Sequence, residues 1–251
     1  MIWWSWKSKQ FAAAAQVAAA AAIALSASSV AAQSLSVLPV NVFLSAGQKT
    51  ATVSVTNSAD KPTTIQIRAF DWSQQNNEEQ LNESKNVVVS PPLATIAPAA
   101  TQVVRLILRE SPAGSEATYR IILDQIPGPH EPGVVQMVLR LSIPIFAAPE
   151  VKVAPEAQFH LERDGDKLFL VGTNAGKSHE TLRDLVLTTA NGQKVNVKSM
   201  ASPYLLAGAT RRWELDAEGL TPQTGETLKL TAHGVAGAIE EQVGMAVAPR
   251  P

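Results

Sequence analysis

The stretch Val134-Val-Gln-Met-Val-Leu-Arg-Leu-Ser-Ile-Pro-Ile-Phe-Ala-Ala-Pro149 has a clear periodicity, because its side chains alternate in character from one residue to the next. Successive side chains of a β-strand leave opposite faces, so an alternation of this length predicts a strand. One row of that strand is apolar throughout and consists of Val135, Met137, Leu139, Leu141, Ile143 and Ile145.

Pro144 lies in the other row of this strand. Proline has no amide hydrogen to donate, so we predict that the strand has a free edge there. A long apolar strand at a sheet edge promotes aggregation, and proteins normally shield such strands. Either the strand is kept for pairing with another chain, or it is an ordinary buried strand of a sandwich, since the alternation fits both.

Residues 1–32 resemble an export signal. Lys7 and Lys9 supply positive charge, Phe11–Leu25 is an apolar, alanine-rich core, and Ser26–Ala32 ends in small residues. This order is typical of a cleavable signal peptide, so we predict cleavage after Ala32. An uncleaved membrane anchor is the alternative, because the apolar core approaches the roughly 20 residues that a membrane span needs.

The composition limits the functions open to the exported part. The chain has no cysteine and a formal net charge of −1, with no basic tract. Cysteine-ligated zinc and thiol catalysis are therefore excluded, and nucleic-acid binding has no electrostatic support. The remaining length suits two immunoglobulin-type domains of about 100 residues each. We place them at 33–149 and 150–251, so that the boundary falls within the proline-flanked linker Ala147–Pro155.

Short alternating runs dominate both halves and predict an all-β fold of two immunoglobulin-like sandwiches in tandem. In the first domain we expect strands at Leu35–Leu44, Ala51–Asn57, Thr64–Trp72, Gln102–Leu108 and Tyr119–Leu123. In the second we expect them at Phe159–Leu161, Leu168–Gly172, Leu182–Thr188, Val195–Ser199, Arg211–Leu215, Leu228–Ala232 and Glu241–Ala246. The polar, acidic segment Ser73–Asn86 is predicted to be a mobile loop.

The sequence contains no catalytic constellation. It has no nucleophile elbow, phosphate-binding loop or dinucleotide fingerprint, and Glu78-Glu79 and Glu240-Glu241 are interpreted as solvated charges. The four histidines are scattered and are also interpreted as solvated: His130, His160, His179 and His233. We therefore predict no metal, no cofactor and no enzymatic activity.

Several segments of the first domain, taken in order, resemble one protein family. They are Ser90-Pro-Pro-Leu-Ala-Thr-Ile-Ala-Pro98, Gln102-Val-Val-Arg105, Glu116, Leu123-Asp-Gln-Ile-Pro127 and Val135–Phe146. Their order and spacing are similar to those of the PapD-type periplasmic chaperones of chaperone–usher pilus assembly. In the second domain the likeness is weaker, and there Tyr204-Leu-Leu-Ala-Gly-Ala-Thr-Arg-Arg-Trp213 is similar to a turn-and-strand pattern of the family.

The resemblance implies a periplasmic chaperone that captures pilin subunits by donor-strand complementation and delivers them to an outer-membrane usher. The donor residues would be Val135, Met137, Leu139 and Leu141, which would fill the open groove of an incomplete pilin sandwich. The resemblance also leaves open whether the free chaperone caps its own edge by forming a dimer. An exported structural or adhesive protein with two sandwich domains is the alternative from another functional class.

The resemblance further implies a structural charge pair between Arg105 and Glu116, which would help to orient the two domains. An ordinary cross-strand pair is the alternative, and it would contribute only about 0.2–1 kcal/mol.

The family anchors the pilin's C-terminal carboxylate with two basic residues, but the matching positions here hold Asn41 and Pro144. Neither side chain carries a positive charge. We expect Arg120 to replace them, because the start of its strand should lie beside the end of the donor strand. Arg140 and Arg68 are further candidates. For each of these three arginines, the alternative interpretation is an ordinary strand residue whose side chain is solvated.

Overall fold

The computed structural model describes residues 35–128, 133, 137–217 and 226–245 of the 251-residue chain. All regular elements in these ranges are β-strands, so the all-β prediction is confirmed. None of the described residues forms a helix that is long and apolar enough to cross a membrane. The predicted signal peptide, residues 1–32, lies outside the described residues.

The first region contains ten strands: β1 (Leu35–Leu38), β2 (Val42–Leu44), β3 (Thr50–Asn57), β4 (Thr63–Gln75), β5 (Glu78–Glu83), β6 (Val87–Ser90), β7 (Leu93–Ile96), β8 (Thr101–Leu108), β9 (Ala117–Ile126) and β10 (Arg140–Ala147). One sheet has the order β1-β3-β8-β6. The other has the order β2-β10-β9-β4-β5, and β7 also pairs with β4. Apolar side chains from both sheets form a single core, in which Val55, Ile65 and Ile145 are fully buried.

The segment predicted as a mobile loop, Ser73–Asn86, instead contains a hairpin. Strand β4 continues to Gln75, and β5 pairs with it in antiparallel register. Asn76 and Asn77 form the two-residue turn with φ angles of 51° and 65°. Asparagine tolerates this left-handed backbone, which the favoured two-residue hairpin turns require. The loop prediction is therefore wrong.

The second region contains nine strands: β11 (Ala157–Asp164), β12 (Lys167–Asn174), β13 (Glu180–Thr181), β14 (Arg183–Thr188), β15 (Lys194–Asn196), β16 (Tyr204–Leu205), β17 (Thr210–Glu214), β18 (Thr227–His233) and β19 (Ala238–Gly244). They form sheets with the orders β11-β12-β17, β13-β16 and β15-β14-β18-β19. All seven predicted strands are present, although β15 is shorter than predicted. The short pair β13–β16 was not predicted.

A buried asparagine closes one corner of the first sandwich. Asn57, fully buried at the end of β3, donates through Nδ2 to the carbonyls of Lys61 at 2.8 Å and Ile96 at 3.0 Å. Its Oδ1 accepts the Ala59 amide at 3.0 Å. Ala99, in the turn between β7 and β8, has a φ of 57°. One side chain thus satisfies backbone groups from two loops.

The second sandwich repeats this corner. Asn174, fully buried at the end of β12, donates to the Leu205 carbonyl at 3.0 Å and accepts the Gly176 amide at 3.0 Å. The turn after β16 contains Gly208 with a φ of 72°, where the first sandwich has Ala99. Glycine adopts this conformation without the steric cost that a side chain brings.

The linker packs closely against the second sandwich. The Lys177 amide donates to the Ala154 carbonyl, and the Ala175 amide to the Glu156 carbonyl, both at 3.0 Å. A Cβ placed on Gly176 would lie 2.4 Å from the Glu156 nitrogen, so only glycine fits between these two backbone segments. The predicted boundary between residues 149 and 150 lies just before this contact.

Candidate binding site

Strand β10 has one free edge over part of its length. It pairs with β9 in antiparallel register from Arg140 to Ala147, whereas β2 covers its other side only from Ile145 to Ala147. Pro144 occupies the last position before β2 begins to pair. Among the described residues, the free edge therefore extends from Arg140 to Pro144, in agreement with the placement of the proline.

The strand begins later than the alternation predicts. Leu139 still contacts β9, since its amide donates to Gln125 Oε1 at 3.2 Å and its carbonyl accepts the Gln125 amide at 2.9 Å. Met137 and Val138 lie outside the strand, with 78% and 50% of their surfaces exposed. Val135 lies outside the described residues.

The late start follows from the end of β9. Arg140 is paired with Asp124, so the same register would place Met137 opposite Pro127. Strand β9 ends at Ile126, and Pro127 has no amide to continue the ladder. Met137 therefore has no partner on β9, and the ladder cannot extend as far back as the alternation predicts.

The apolar row is divided between two environments. Ile143 and Ile145 are buried in the first core, and Leu141 packs against that core while half-buried. Leu139 is also half-buried, whereas Met137 is exposed. Among the described donor candidates, Met137 and Leu139 are therefore the most available to a partner, and Leu141 is partly engaged by its own sandwich.

Aromatic side chains join the two sandwiches beside the end of β10. Phe146 stacks on His179 with ring centroids 3.7 Å apart and contacts Tyr204 at 5.1 Å. Trp72 from β4 meets Tyr204 edge-on at 5.6 Å. Trp72 and Phe146 belong to strands of the first region but are buried in the core of the second.

Arg120 lies at this junction and is paired with Pro144 across the β9–β10 ladder. Its guanidinium lies 3.9 Å above the Trp72 ring, donates to Ser142 Oγ at 3.1 Å and is 3.6 Å from Glu79 Oε2. Burial lowers the pKa of Arg120, and the neighbouring carboxylate of Glu79 opposes that shift. A partly buried guanidinium whose one counter-ion also pairs with another arginine is well suited to hold a second carboxylate.

Glu79, interpreted from sequence as solvated, links the two sandwiches. Its Oε1 accepts from Arg211 Nη1 at 2.8 Å and from Gln74 Nε2 at 3.0 Å. The Trp72 indole donates to Oε2. Because the 2.8 Å contact with Arg211 is shorter than the 3.6 Å contact with Arg120, Glu79 neutralises Arg211 more fully.

Asn41 lies on the other side of Tyr204. The Tyr204 hydroxyl donates to Asn41 Oδ1 at 3.0 Å. Burial raises the pKa of the Tyr204 hydroxyl, against the opposing charge of Arg120 and the hydrogen bond to Asn41, so the phenol stays protonated at neutral pH. Asn41 and Arg120 are thus linked through Tyr204 and Trp72, since Tyr204 bonds to Asn41 and meets the indole that Arg120 covers.

Arg140 and Arg68 are engaged elsewhere. Arg68 Nη2 lies 2.7 Å from Asp124 Oδ2, and Arg140 Nε donates to Asp124 Oδ1. Burial opposes ionisation of Asp124, but its hydrogen bonds to Arg140 and Arg68 and their charges outweigh burial and lower the pKa of Asp124. These two arginines are therefore weaker candidates for holding another carboxylate than Arg120.

The predicted pair of Arg105 and Glu116 is not formed. Glu116 contacts His179 of the second sandwich, with Oε1 at 2.7 Å from Nδ1 and at 3.2 Å from the His179 amide nitrogen. Arg105 is exposed on β8, in the sheet opposite β9, and makes no ion pair with any described residue. Side chains in β8 are buried at even positions, such as Val104 and Leu106, so Arg105 points to solvent.

His179 corrects another sequence interpretation, because it is 6% exposed rather than solvated. His160 and His233 are partly exposed and lie near carboxylates of Glu162 and Asp184, while His130 lies outside the described residues. No group of three His, Cys, Asp or Glu side chains that could hold a metal occurs within the described ranges.

Comparison with known proteins identifies a matching family and solved structures with a similar fold. The family described as "Pili and flagellar-assembly chaperone, PapD N-terminal domain" matches residues 34–152. No curated protein matches the chain significantly.

Solved structures match nearly the whole described chain. A chain in the CsuC–CsuE chaperone–tip adhesion subunit pre-assembly complex of Acinetobacter baumannii has a TM-score of 0.65 at 20% identity, covering 85% of this chain and 100% of that one. The E. coli chaperone DraB gives 0.56 at 19% identity, covering 84% and 97%. A chain in the complex of the Salmonella enterica SafA pilin with the SafB chaperone gives 0.59 at 15% identity, covering 84% and 97%. These likenesses confirm the two-domain fold.

Proposed function

We propose that this chain binds pilin subunits by donor-strand complementation and delivers them to an outer-membrane usher. The proposal is supported by the family, because the chain belongs to the PapD-type pilus assembly chaperones of the chaperone–usher pathway. The family is one of periplasmic chaperones and not of enzymes. Residues 1–32 would direct export to the periplasm and be removed there.

The observation that supports this mechanism best is the half-free strand β10 together with the exposed apolar residues before it. From Arg140 to Pro144, one edge of β10 offers backbone groups that an incoming strand can pair with. Met137 projects 78% of its surface into solvent just before that edge. Backbone pairing and groove filling would then act together.

Groove filling supplies part of the binding energy. Fully burying a side chain such as Met or Leu contributes roughly 1.5–3 kcal/mol. Met137 and Leu139 together would contribute at most about 3–6 kcal/mol before the ordering cost of binding, with the smaller share from Leu139 because it is already half-buried. Val135 would add to this, whereas Leu141 would add less because it already packs against its own core.

Co-expression with a pilin encoded nearby tests this function. We expect a soluble one-to-one complex and protection of the pilin from proteolysis. Met137→Asp or Leu139→Asp should abolish capture, since a charge in an apolar groove costs several kcal/mol. Gln136→Asp is the matched control and should have a mild effect. Equal loss of binding in all three variants would contradict the assigned faces of the strand.

Arg120 and Asn41 would hold the pilin's C-terminal carboxylate. Arg120 would supply the charge, and Arg120→Ala should weaken binding by about 1.5–3 kcal/mol, the contribution of a hydrogen bond to a charged group. Asn41→Ala should weaken it less. Arg140→Ala serves as the comparison, because Arg140 is exposed and bound to Asp124. Unchanged affinity of Arg120→Ala for a pilin with an intact C-terminus would reject this anchor.

The same edge would allow the free chaperone to cap itself by pairing with a second copy. Sedimentation of the wild-type protein and of Met137→Asp tests this arrangement. A dimer that dissociates in the variant supports it, and a wild-type monomer at high concentration contradicts it.

A further inference from the structure

Tyr204 belongs to the second sandwich but touches the anchor proposed in the first. It lies in β16, and its hydroxyl donates to Asn41 Oδ1 at 3.0 Å. Its ring meets Trp72 edge-on at 5.6 Å, and Arg120 covers the same indole at 3.9 Å. Tyr204 is thus bonded to one proposed anchor residue and shares an aromatic neighbour with the other.

The position of Tyr204 is fixed from both sandwiches. Gln74 of β4 donates through Nε2 to the Tyr204 carbonyl at 2.9 Å and accepts the Leu206 amide through Oε1 at 3.0 Å. Thr181 pairs with Tyr204 in the short β13–β16 ladder. Gln74 is itself buried, so these contacts hold the phenol in place before any ligand arrives.

The hydrogen bond determines which end of the Asn41 amide is available. An asparagine side chain has one accepting oxygen and one donating nitrogen. When Oδ1 is held by the Tyr204 hydroxyl, Nδ2 points the other way and can donate to a ligand. The phenol must be protonated for this, which agrees with its raised pKa.

We infer that Tyr204 is a positioning residue of the carboxylate site, supplied by the second domain, which orients Asn41 so that its amide nitrogen donates to the ligand's carboxylate. The inference rests on the proposed function of Asn41 and Arg120 as the pilin anchor. It extends that anchor across the domain junction, so that recognition of a terminal carboxylate depends on how the two sandwiches sit together.

Tyr204→Phe tests this role because it removes only the hydroxyl and keeps the ring. The probe is a synthetic peptide with the sequence of the cognate pilin's C-terminal strand, prepared as the free acid and as the amide. Titration calorimetry should show that Tyr204→Phe and Asn41→Ala each weaken binding of the acid about fivefold, as expected for one hydrogen bond. Binding of the amide should change little in either variant.

The double variant separates the possible roles of Tyr204. If Tyr204 acts through Asn41, the combined substitution should weaken binding of the acid no more than Asn41→Ala alone. Additive losses would overturn the positioning role and indicate that the hydroxyl binds the ligand directly. Equal losses for acid and amide would indicate a purely structural effect and also overturn it. If the wild-type protein binds neither peptide nor pilin, the proposed function fails instead.

Discussion

Replacing Glu116 with alanine should destabilise the protein through the contact between its two domains. The Glu116 carboxylate is 9% exposed and His179, its partner, 7%. The substitution removes the acceptor for both the His179 ring nitrogen and the His179 backbone amide. Each buried donor left without a partner costs about 1–3 kcal/mol, so for two donors we expect a loss of about 2–6 kcal/mol in the free energy of unfolding.

Urea unfolding followed by tryptophan fluorescence measures this loss, since Trp72 lies in the aromatic cluster beside His179. Arg105→Ala is the matched control, because Arg105 is exposed and should change stability by less than about 0.5 kcal/mol. The Glu116 amide would keep its 2.8 Å bond to the Lys177 carbonyl in the variant. If Arg105→Ala proves as damaging as Glu116→Ala, the assignment of the pair to Glu116 and His179 is incorrect.

Four further substitutions test the backbone and the surface charges, each by equilibrium unfolding. Ala99→Gly should leave stability unchanged or raise it, because Ala99 has a left-handed backbone. Gly208→Ala at the equivalent corner should cost about 1–2 kcal/mol for the same reason. A loss in Ala99→Gly that exceeds the loss in Gly208→Ala would contradict this account. Gly176→Ala should cost more than Gly208→Ala, since its Cβ would meet the backbone of Glu156, and an equal or smaller cost would show that the linker can move away. The lowered pKa of Asp124 means that its ion pairs stabilise the fold above about pH 3.9 and are lost as the pH falls through the lower folded value. Asp124→Asn should therefore lower stability more at pH 7 than at pH 2, and an equal loss at both would contradict the pairing.

Much of the fold could be predicted from local patterns. Strands with one buried face, such as β3 and β8, alternate clearly and were located to within a residue or two. Strand β5 was missed because nearly all of its side chains are exposed, so it carries no alternation. The turn residues Asn76 and Asn77 were the available signal, and their preference for left-handed backbone was overlooked.

Positions in the candidate site could be predicted from sequence only where the pairing of two neighbouring strands determines them. The expectation that Arg120 lies beside the end of β10 is confirmed by its pairing with Pro144. Glu79, His179 and Tyr204 were missed, because their partners come from the other sandwich and no local sequence pattern records such distant contacts. The pairing of Arg105 with Glu116 is wrong because Glu116 binds His179 of the other sandwich, whereas Arg105 faces solvent from β8.

The burial of Phe146 and Trp72 in the second core affects how the molecule unfolds. Both residues belong to strands of the first sandwich, so melting the second would expose large aromatic surfaces that the first cannot cover alone. The two sandwiches therefore share part of their stability and should lose structure in one cooperative transition rather than in two independent ones. The C-terminal end of β10 takes part in that shared unit through Phe146, whereas its other end, at Arg140, pairs with β9 alone among the described strands.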